Sequence, residues 1–126
     1  MKLRIRGNSI RLRVTRGELA SIASDGLVEE IVDFGSNALR YRLVRDPEAT
    51  AAQARFADQI IEVRLPAVAV DAWAHDEAEV SIDAEQRLDA GALRILVEKD
   101  FACLQPRAEE DESDMFAHPN TDDLKC

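Results

Sequence analysis

Residues 2–14 read KLRIRGNSIRLRV, two alternating runs joined by the dipeptide Gly7-Asn8. A two-residue loop of Gly and Asn favours a β-hairpin, because both residues tolerate positive φ. We therefore predict antiparallel strands over 2–6 and 9–14. A loop of this length sets a single register, in which one face of the hairpin is apolar and the other is basic.

The basic face of this hairpin is electrostatically unfavourable by itself. The register places Arg4 opposite Arg11 and Lys2 opposite Arg13. Directly opposed like charges destabilise a sheet by about 0.2–1 kcal/mol per pair. The hairpin therefore needs a negative charge close by.

Length and composition bound the class of protein. The 126 residues fit one domain, and their formal net charge is −9. Residues 1–46 carry nine Lys or Arg and six Asp or Glu, so the acidic excess lies in the remainder of the chain. Nucleic acid is a poor partner for so acidic a protein. No signal-peptide or membrane-spanning run occurs, which leads us to expect a cytoplasmic protein.

After the hairpin the pattern changes to a helical period. The sequence from Thr15 to Glu18 fits a capping box, and Gly26 can end the helix. Leu19 and Ile22 lie on the apolar stripe of this helix. Strands are predicted over 27–34 and 38–44. We interpret residues 45–58 as a connection, partly helical.

The second half of the chain repeats this order of elements. It predicts a strand at 60–65, a helix from Pro66, and strands near 79–84 and 92–100. A shift of 51 positions superimposes the apolar positions of the first strand and helix on those of the second, and it brings Ile22 onto Trp73. Trp73 is accordingly expected in the core, with ligand stacking as the alternative.

We interpret the chain as α+β: an antiparallel sheet built from two duplicated βαββ units, about 10–46 and 61–100, led by an N-terminal β-hairpin and covered by two short helices. Residues 1–104 form the single domain in this interpretation. Residues 105–126, with seven acidic and two basic side chains, are expected to be an acidic, flexible tail.

Three stretches carry a family resemblance: RIRGNSIRLRVT near the start, and LVEKDFACL and EDESDMFAHPN near the end. Together they resemble a family of small bacterial proteins known only as a domain of unknown function. The resemblance covers essentially the whole chain and implies no activity, cofactor or catalytic residue. Related tails read Phe-Pro-Asn-Pro where this chain has residues 116–119, Phe-Ala-His-Pro, so His118 is not expected to be a ligand shared by the family.

Few features of the sequence indicate a catalytic or metal-binding site. His75 is expected to be a surface or capping residue, and Cys103 a small buried hydrophobe rather than a nucleophile. The spacing of Cys103, His118 and Cys126 matches no familiar zinc pattern. No phosphate-binding or dinucleotide loop is present. We predict no cofactor and no metal, and favour a protein without catalytic activity.

A basic strand face is the strongest candidate site. Arginines alternating along strands can hold phosphate or carboxylate groups in bidentate fashion. The candidate anion-binding residues are Arg4, Arg6, Arg11, Arg13, Arg40 and Arg42. The alternative is internal neutralisation by carboxylates on adjoining strands, such as Glu29 and Glu62.

Three classes of function follow from this face. The first is a non-catalytic binding or regulatory module for an anionic small molecule or an acidic protein segment. The second is a self-neutralised protein-interaction domain, and the third is an enzyme acting on a phosphorylated small molecule. A further hypothesis is that residues 109–114, EEDESD, fold back over the basic strands and compete with the external anion.

Overall fold

The computed structural model describes residues 1–101, which form eight strands and two helices. In chain order the elements are β1 (Lys2–Arg6), β2 (Ser9–Val14), α1 (Arg16–Asp25), β3 (Leu27–Asp33), β4 (Ala38–Asp46), β5 (Gln53–Ala57), β6 (Ile60–Pro66), α2 (Ala67–His75), β7 (Ser81–Leu88) and β8 (Gly91–Lys99). Neither helix is long and apolar enough to span a membrane within this described part of the chain.

The strands form two four-stranded sheets. Sheet A has the order β1-β2-β8-β7, and sheet B has the order β3-β4-β6-β5. The outer pairs in each sheet are antiparallel hairpins, whereas the central pairs, β2 with β8 and β4 with β6, run parallel. Each sheet therefore combines one hairpin from each half of the chain.

The α+β class is confirmed, but the expectation of a single antiparallel sheet is wrong. Each helical connection carries the chain from one sheet to the other, from β2 to β3 through α1 and from β6 to β7 through α2. Both helices contact strands of both sheets and each other. Two inner sheet faces can bury the apolar stripes of both helices, which one sheet face would cover less completely.

The N-terminal hairpin has the predicted strands and the predicted register. Arg4 pairs with Arg11 and Lys2 with Arg13 across β1 and β2. Gly7 supplies the positive φ of the turn, at +55°. The Asn8 side chain donates to the carbonyl of Ala92 at 2.8 Å, which joins the tip of this hairpin to the tip of the β7–β8 hairpin.

The capping box of α1 is also confirmed. The Glu18 amide donates to Thr15 Oγ1 at 3.2 Å, and the Thr15 amide donates to Glu18 Oε1 at 2.9 Å. Gly26 ends the helix in the left-handed region, with φ +82°, and its amide donates to the carbonyl of Ile22. Reciprocal capping at one end and a glycine at the other fix the length of the helix.

Gly26→Ala is expected to lower the free energy of unfolding by about 1–2 kcal/mol, because an L side chain resists the left-handed conformation. Gly17→Ala, in the helical first turn of α1, is expected to raise it by up to about 1 kcal/mol. Apart from the adjoining residues and the backbone of the helix, no described atom lies within 4 Å of a methyl group added at either position, so crowding is not a factor. Urea denaturation of both variants measures the difference. Equal losses in both would contradict the assignment of the effect to φ.

The expectation that residues 45–58 form a partly helical connection is wrong for their second half. Residues 53–57 form strand β5, which pairs antiparallel with β6. The turn that follows has positive φ at both Asp58 and Gln59, 54° and 64°. Two such residues suit the twist of a tight hairpin, although neither is glycine.

One apolar core joins the two sheets and both helices. The buried side chains that contact one another are Leu12, Val14, Leu19, Ile22, Leu43, Ala52, Val63, Leu65, Val70, Trp73, Ile95 and Val97. The predicted burial of the two helical stripes is confirmed, and Trp73 is only 1% exposed. Its indole Nε1 donates to the carbonyl of Val80 at 3.3 Å, so the polar end of the ring is also satisfied.

Residues 2–46 and 53–99 contain the same order of elements, two strands, a helix and two strands. The duplication itself stays a prediction, because it concerns the superposition of residues 10–46 on 61–100. The predicted domain boundary at 104 and the acidic tail at 105–126 lie outside the described residues.

Candidate functional site

The six arginines predicted to form one basic surface are divided between the two sheets. Sheet A holds those on β1 and β2, and sheet B holds those on β4. On sheet A they are Arg4, Arg6, Arg11 and Arg13; on sheet B they are Arg40 and Arg42. The expectation of a shared surface fails because β4 pairs with β3 and β6 rather than with the N-terminal hairpin.

On the outer side of sheet B, basic and acidic side chains alternate in a continuous chain of ion pairs. Glu29 contacts Arg40 at 2.9 Å and Arg42 at 3.4 Å. Glu62 then contacts Arg42 and Arg64, each at 2.9 Å, and Arg64 reaches Asp46 at 3.1 Å. We call Glu29, Arg40, Arg42, Asp46, Glu62 and Arg64 the sheet B ladder.

Glu62 is the most buried member of the sheet B ladder, with a side chain only 6% exposed. Burial alone would raise the pKa of its carboxyl, but hydrogen bonds and charge from Arg64 and Arg42 outweigh burial and lower it. The pKa of Asp46 is also lowered, first by the amide of Glu48 and then by Arg64. Glu62 and Asp46 are therefore ionised at neutral pH, and the three carboxylates of the ladder are matched by its three guanidinium groups.

Arg40 and Arg42 each contact a carboxylate on an adjoining strand, the arrangement expected under the alternative of internal neutralisation. The carboxylates that pair with them are Glu29 and Glu62, the two that the sequence suggested. Cross-strand register explains the contacts, because Arg42 lies between Glu29 on β3 and Glu62 on β6. Arg42, 27% exposed, contacts both carboxylates, whereas Arg40, 47% exposed, contacts Glu29 alone.

On sheet A one carboxylate forms ion pairs with two arginines of the N-terminal hairpin. Arg13 Nε lies 2.6 Å and Arg11 Nε 3.4 Å from the same oxygen, Oε1 of Glu98. Glu98 is on β8 and is brought there by the parallel pairing with β2. Lys2 contacts Asp100, just after β8, at 3.1 Å.

The outer sides of the two sheets differ in charge. Outward positions follow from alternation with the buried side chains along each strand. On sheet B four basic side chains (Arg40, Arg42, Arg55, Arg64) meet four acidic ones (Glu29, Asp33, Asp46, Glu62). On sheet A seven basic side chains (Lys2, Arg4, Arg6, Arg11, Arg13, Arg87, Arg94) meet three acidic ones (Asp83, Glu85, Glu98). We call this outer side of sheet A the basic face.

The basic face is arranged in rows across the strands. The first row contains Lys2, Arg13, Glu98 and Ser81; the second contains Arg4, Arg11, Leu96 and Asp83; the third contains Arg6, Ser9, Arg94 and Glu85. Consecutive rows are two residues apart along a strand, which is roughly 6.6–6.8 Å. Each row holds two basic side chains.

Two features of the basic face were not predicted from the sequence. Arg94 belongs to the third row, and its guanidinium contacts Asp83 of the second row at 3.0 Å. Glu98 supplies a carboxylate to Arg11 and Arg13, which lie at least 85 positions earlier in the chain. The alternation of Arg94, Leu96 and Glu98 was the available signal, because it places all three on one side of β8.

A second group of charges attaches the start of the chain to sheet B. The amine of Met1 contacts Glu18 and, at 3.1 Å, Glu30, while the hydroxyl of Tyr41 donates to the carbonyl of Met1 at 3.2 Å. Burial would lower the pKa of this amine, but the two carboxylates outweigh it and raise the pKa. One amine thus joins two carboxylates, and these contacts attach the start of β1 to α1 and β3.

Residues 1–101 contain few of the side-chain groupings that are typical of a catalytic or metal centre. No group of three His, Cys, Asp or Glu side chains there could hold a metal ion. His75 is the last residue of α2 and is exposed, which agrees with the surface position expected for it. Cys103, His118 and Cys126 lie outside the described residues.

Comparison with known proteins gives one result. A family model described as "Family of unknown function (DUF7009)" matches residues 1–120. The chain belongs to this family. None of the curated proteins and none of the solved structures matches this DUF7009 member. The predicted resemblance to a family of unknown function is confirmed, and the basic face is a feature of a DUF7009 domain.

Proposed function

We propose that the protein is a non-catalytic binding module that recognises an acidic protein segment through the basic face of sheet A. The observation that carries this proposal is the charge excess among the described strand residues of that face, seven basic side chains against three acidic ones, beside a balanced sheet B; Asp100, just after β8, adds one carboxylate, which contacts Lys2. Arg4, Arg6, Arg11 and Arg13 belong to the proposed site, together with Lys2 and Arg94. Arg40 and Arg42 do not, because they lie on sheet B, where the outward acidic and basic side chains are equal in number.

The spacing of the rows favours an extended peptide over a compact anion. Alternate side chains of an extended chain recur about every 6.6–6.8 Å, which is also the spacing between rows of the basic face. Three carboxylates on one side of such a peptide can therefore meet three rows in turn. Guanidinium groups bind carboxylates in a planar, bidentate manner, which suits the arginines of these rows.

Arg6 is the most available cation of the proposed site. It is exposed at the end of β1, and within the part of the chain that the structure describes it makes no ion pair. Arg11 is at the centre of the face, 3.4 Å from a carboxylate oxygen that is closer to Arg13. Both arginines can therefore bind a new carboxylate without dismantling a short internal pair.

Arg6→Gln and Arg11→Gln are each expected to weaken binding of an acidic peptide about two- to fivefold, the range for one exposed ion pair. The probe is a fluorescein-labelled ten-residue peptide of alternating glutamate and serine, titrated with the full-length chain and followed by anisotropy. Binding should weaken as salt increases, because exposed charges are screened. Arg40→Gln is the matched control, since it removes an exposed arginine from sheet B.

Equal weakening by all three variants would contradict the proposal, because it would report net charge rather than a site. Parallel titrations with inorganic phosphate and with a short DNA duplex identify the class of anion. Tighter binding of either than of the peptide, at the same ionic strength, would overturn the assignment to an acidic protein segment. Circular dichroism of each variant verifies that the fold is retained.

A self-neutralised interaction domain is the second candidate, and exposed apolar side chains favour it. Phe34 and Phe56, near the tips of two hairpins of sheet B, are 64% and 69% exposed, and Ile5 near the tip of the N-terminal hairpin is 59% exposed. Exposed aromatic side chains are common at contact surfaces between proteins. Peptide binding that ignores both salt and the arginine substitutions would favour this candidate.

A further inference from the structure

We infer that the acidic segment binds by adding a strand to the open edge of β1, and that its sequence alternates acidic with apolar residues. This inference rests on the proposed function, because it concerns the same basic face. It goes further by naming the place of the segment on that face, the backbone groups that hold it and the sequence pattern that it must have.

β1 has an open edge in the part of the chain that the structure describes. It is the first strand in the order β1-β2-β8-β7 and pairs with β2 alone. Backbone N–H and C=O groups at such an edge can pair with a further strand, which is one way in which proteins bind extended peptides. A strand added here would continue each row of the basic face by one position, beyond Lys2, Arg4 and Arg6.

Two hydrogen bonds show the direction of the backbone groups along β1. The Ser9 hydroxyl donates to the carbonyl of Arg6 at 2.7 Å, and these two residues form the pair that closes the hairpin with β2. The carbonyl of Met1 instead accepts from the Tyr41 hydroxyl of sheet B at 3.2 Å. Because backbone groups alternate in direction along an antiparallel strand, those of the even-numbered residues of β1 point to β2 and those of the odd-numbered residues point to the open edge.

Leu3 and Ile5 are the odd-numbered residues of β1, so their N–H and C=O groups are the ones that an added strand would bind. Their side chains face the inner side of sheet A, where Ile5 is nevertheless 59% exposed. An apolar side chain on the added strand would remove this surface from water. The segment that fits therefore alternates apolar side chains on the inner side with acidic side chains on the outer side.

The charge of β1 selects the partner. Its outward side chains, Lys2, Arg4 and Arg6, are all basic. A second copy of the chain paired along the same edge would set basic side chains against basic side chains, and directly opposed like charges destabilise a sheet. An acidic strand would instead set a carboxylate beside each of them. The occupant is therefore an acidic segment of a partner protein rather than a second copy.

The other edge strands of the two sheets suit an acidic strand less well. The outward side chains of β3 and β7 include two carboxylates each. These are Glu29 and Asp33 on β3, and Asp83 and Glu85 on β7. On β5 the amide and the carbonyl of Ala54 already bind the side-chain amide of Gln86, at 2.6 and 3.1 Å. Among residues 1–101, β1 is thus the edge at which backbone groups and charge both favour this partner.

The first test compares two labelled peptides of the same composition, SEVEVES and SEEEVVS, each titrated with the full-length chain at low salt. Only SEVEVES can set three carboxylates on one side of a strand and two valines on the other. We expect it to bind about three- to tenfold more tightly than SEEEVVS, because several favourable cross-strand pairs then form together.

Ile5→Thr examines the apolar side of the same contact. Threonine keeps a β-branched side chain but is less apolar, so binding of SEVEVES should weaken about two- to fivefold, while that of SEEEVVS stays within about 1.5-fold. Val68→Thr is the matched control, because it makes a similar change at an exposed position on α2. It should leave the binding of both peptides unchanged.

Amide hydrogen exchange followed by nuclear magnetic resonance reports strand addition directly. The amides of Leu3 and Ile5 should exchange at least about tenfold more slowly when SEVEVES saturates the protein, because they then donate to the added strand. A peptide lying flat over the basic face would contact side chains and leave both amides unprotected. Protection of these amides before any peptide is added would show that the chain itself or a second copy fills the edge, and would overturn the inference.

The outcomes separate this inference from the proposed function. Equal binding of the two peptides, weakened by Arg6→Gln and Arg11→Gln but without protection of the Leu3 and Ile5 amides, would overturn strand addition and leave the proposed function intact. If neither peptide binds, the proposed function fails and this inference fails with it. The expected result is a preference for SEVEVES together with protection of both amides.

Discussion

Trp73→Ala is expected to lower the free energy of unfolding by about 3–5 kcal/mol, the range measured for the loss of a buried aromatic side chain. The ring is 1% exposed and lies in the cluster that joins both helices to both sheets. Several elements surround it, so no single one can move inward to fill the space. The substitution also leaves the carbonyl of Val80 without the indole donor. Urea denaturation followed by far-ultraviolet circular dichroism measures the loss.

Val68→Ala is the matched control for this prediction. Val68 lies on the same helix but is 82% exposed, so its truncation should change stability by less than about 0.5 kcal/mol. A loss below about 1 kcal/mol for Trp73→Ala would contradict its place in the core. That result would support the alternative in which the ring stacks on a ligand.

The hairpin and the helical caps could be predicted because they depend on neighbouring residues. The Gly7-Asn8 loop allows one register between β1 and β2, and alternation then assigns every side chain to a face. The capping box of α1 likewise involves positions three residues apart. Burial of Trp73 followed from its place on an apolar stripe.

Strand β5 was missed because its turn lacks the usual signal. Asp58 and Gln59 both adopt positive φ, and a hairpin at such a dipeptide is not expected when neither residue is glycine or asparagine. A signal was nevertheless present. The shift of 51 positions on which the predicted duplication is based carries Lys2–Arg6 onto Gln53–Ala57, the bounds that β5 has in the structure.

The two-sheet arrangement and the partners of the arginines required long-range pairing. Parallel pairing of β2 with β8 joins strands at opposite ends of the described chain, and it alone brings Glu98 beside Arg13. Local alternation shows that a strand has a basic side, but it does not show which strand will lie next to it. For this reason the candidate arginines could be identified from the sequence. Their division between sheet B, where outward charges balance, and sheet A, where positive charge is in excess, could not be predicted.

Glu62→Gln is expected to lower the free energy of unfolding by about 2 kcal/mol at neutral pH, the second largest loss that we predict. Glutamine keeps the size of the side chain but has no negative charge and only one acceptor oxygen, so its NH2 group would face Arg42 or Arg64 in place of the second oxygen. Those two guanidinium groups now share one carboxylate at 2.9 Å each, and they would face each other without it. The exposed fractions of Arg42 and Arg64, 27% and 47%, keep the expected loss below that of a fully buried pair.

The loss caused by Glu62→Gln should depend on pH in a defined direction. Burial opposes ionisation of Glu62, but Arg64 and Arg42 hold its pKa in the folded protein below the ordinary value of 4.5. A carboxyl with a lowered pKa stabilises the fold above its unfolded pKa and loses that contribution as pH falls through the folded pKa. The stability difference between wild type and variant should therefore be full at pH 7 and shrink progressively below about pH 4.5.

Glu77→Gln, at an exposed position in the turn after α2, is the control and should change stability by less than about 0.5 kcal/mol throughout. A difference for Glu62→Gln that stays constant between neutral and acidic pH would show that it comes from packing rather than from the charge that holds the sheet B ladder together.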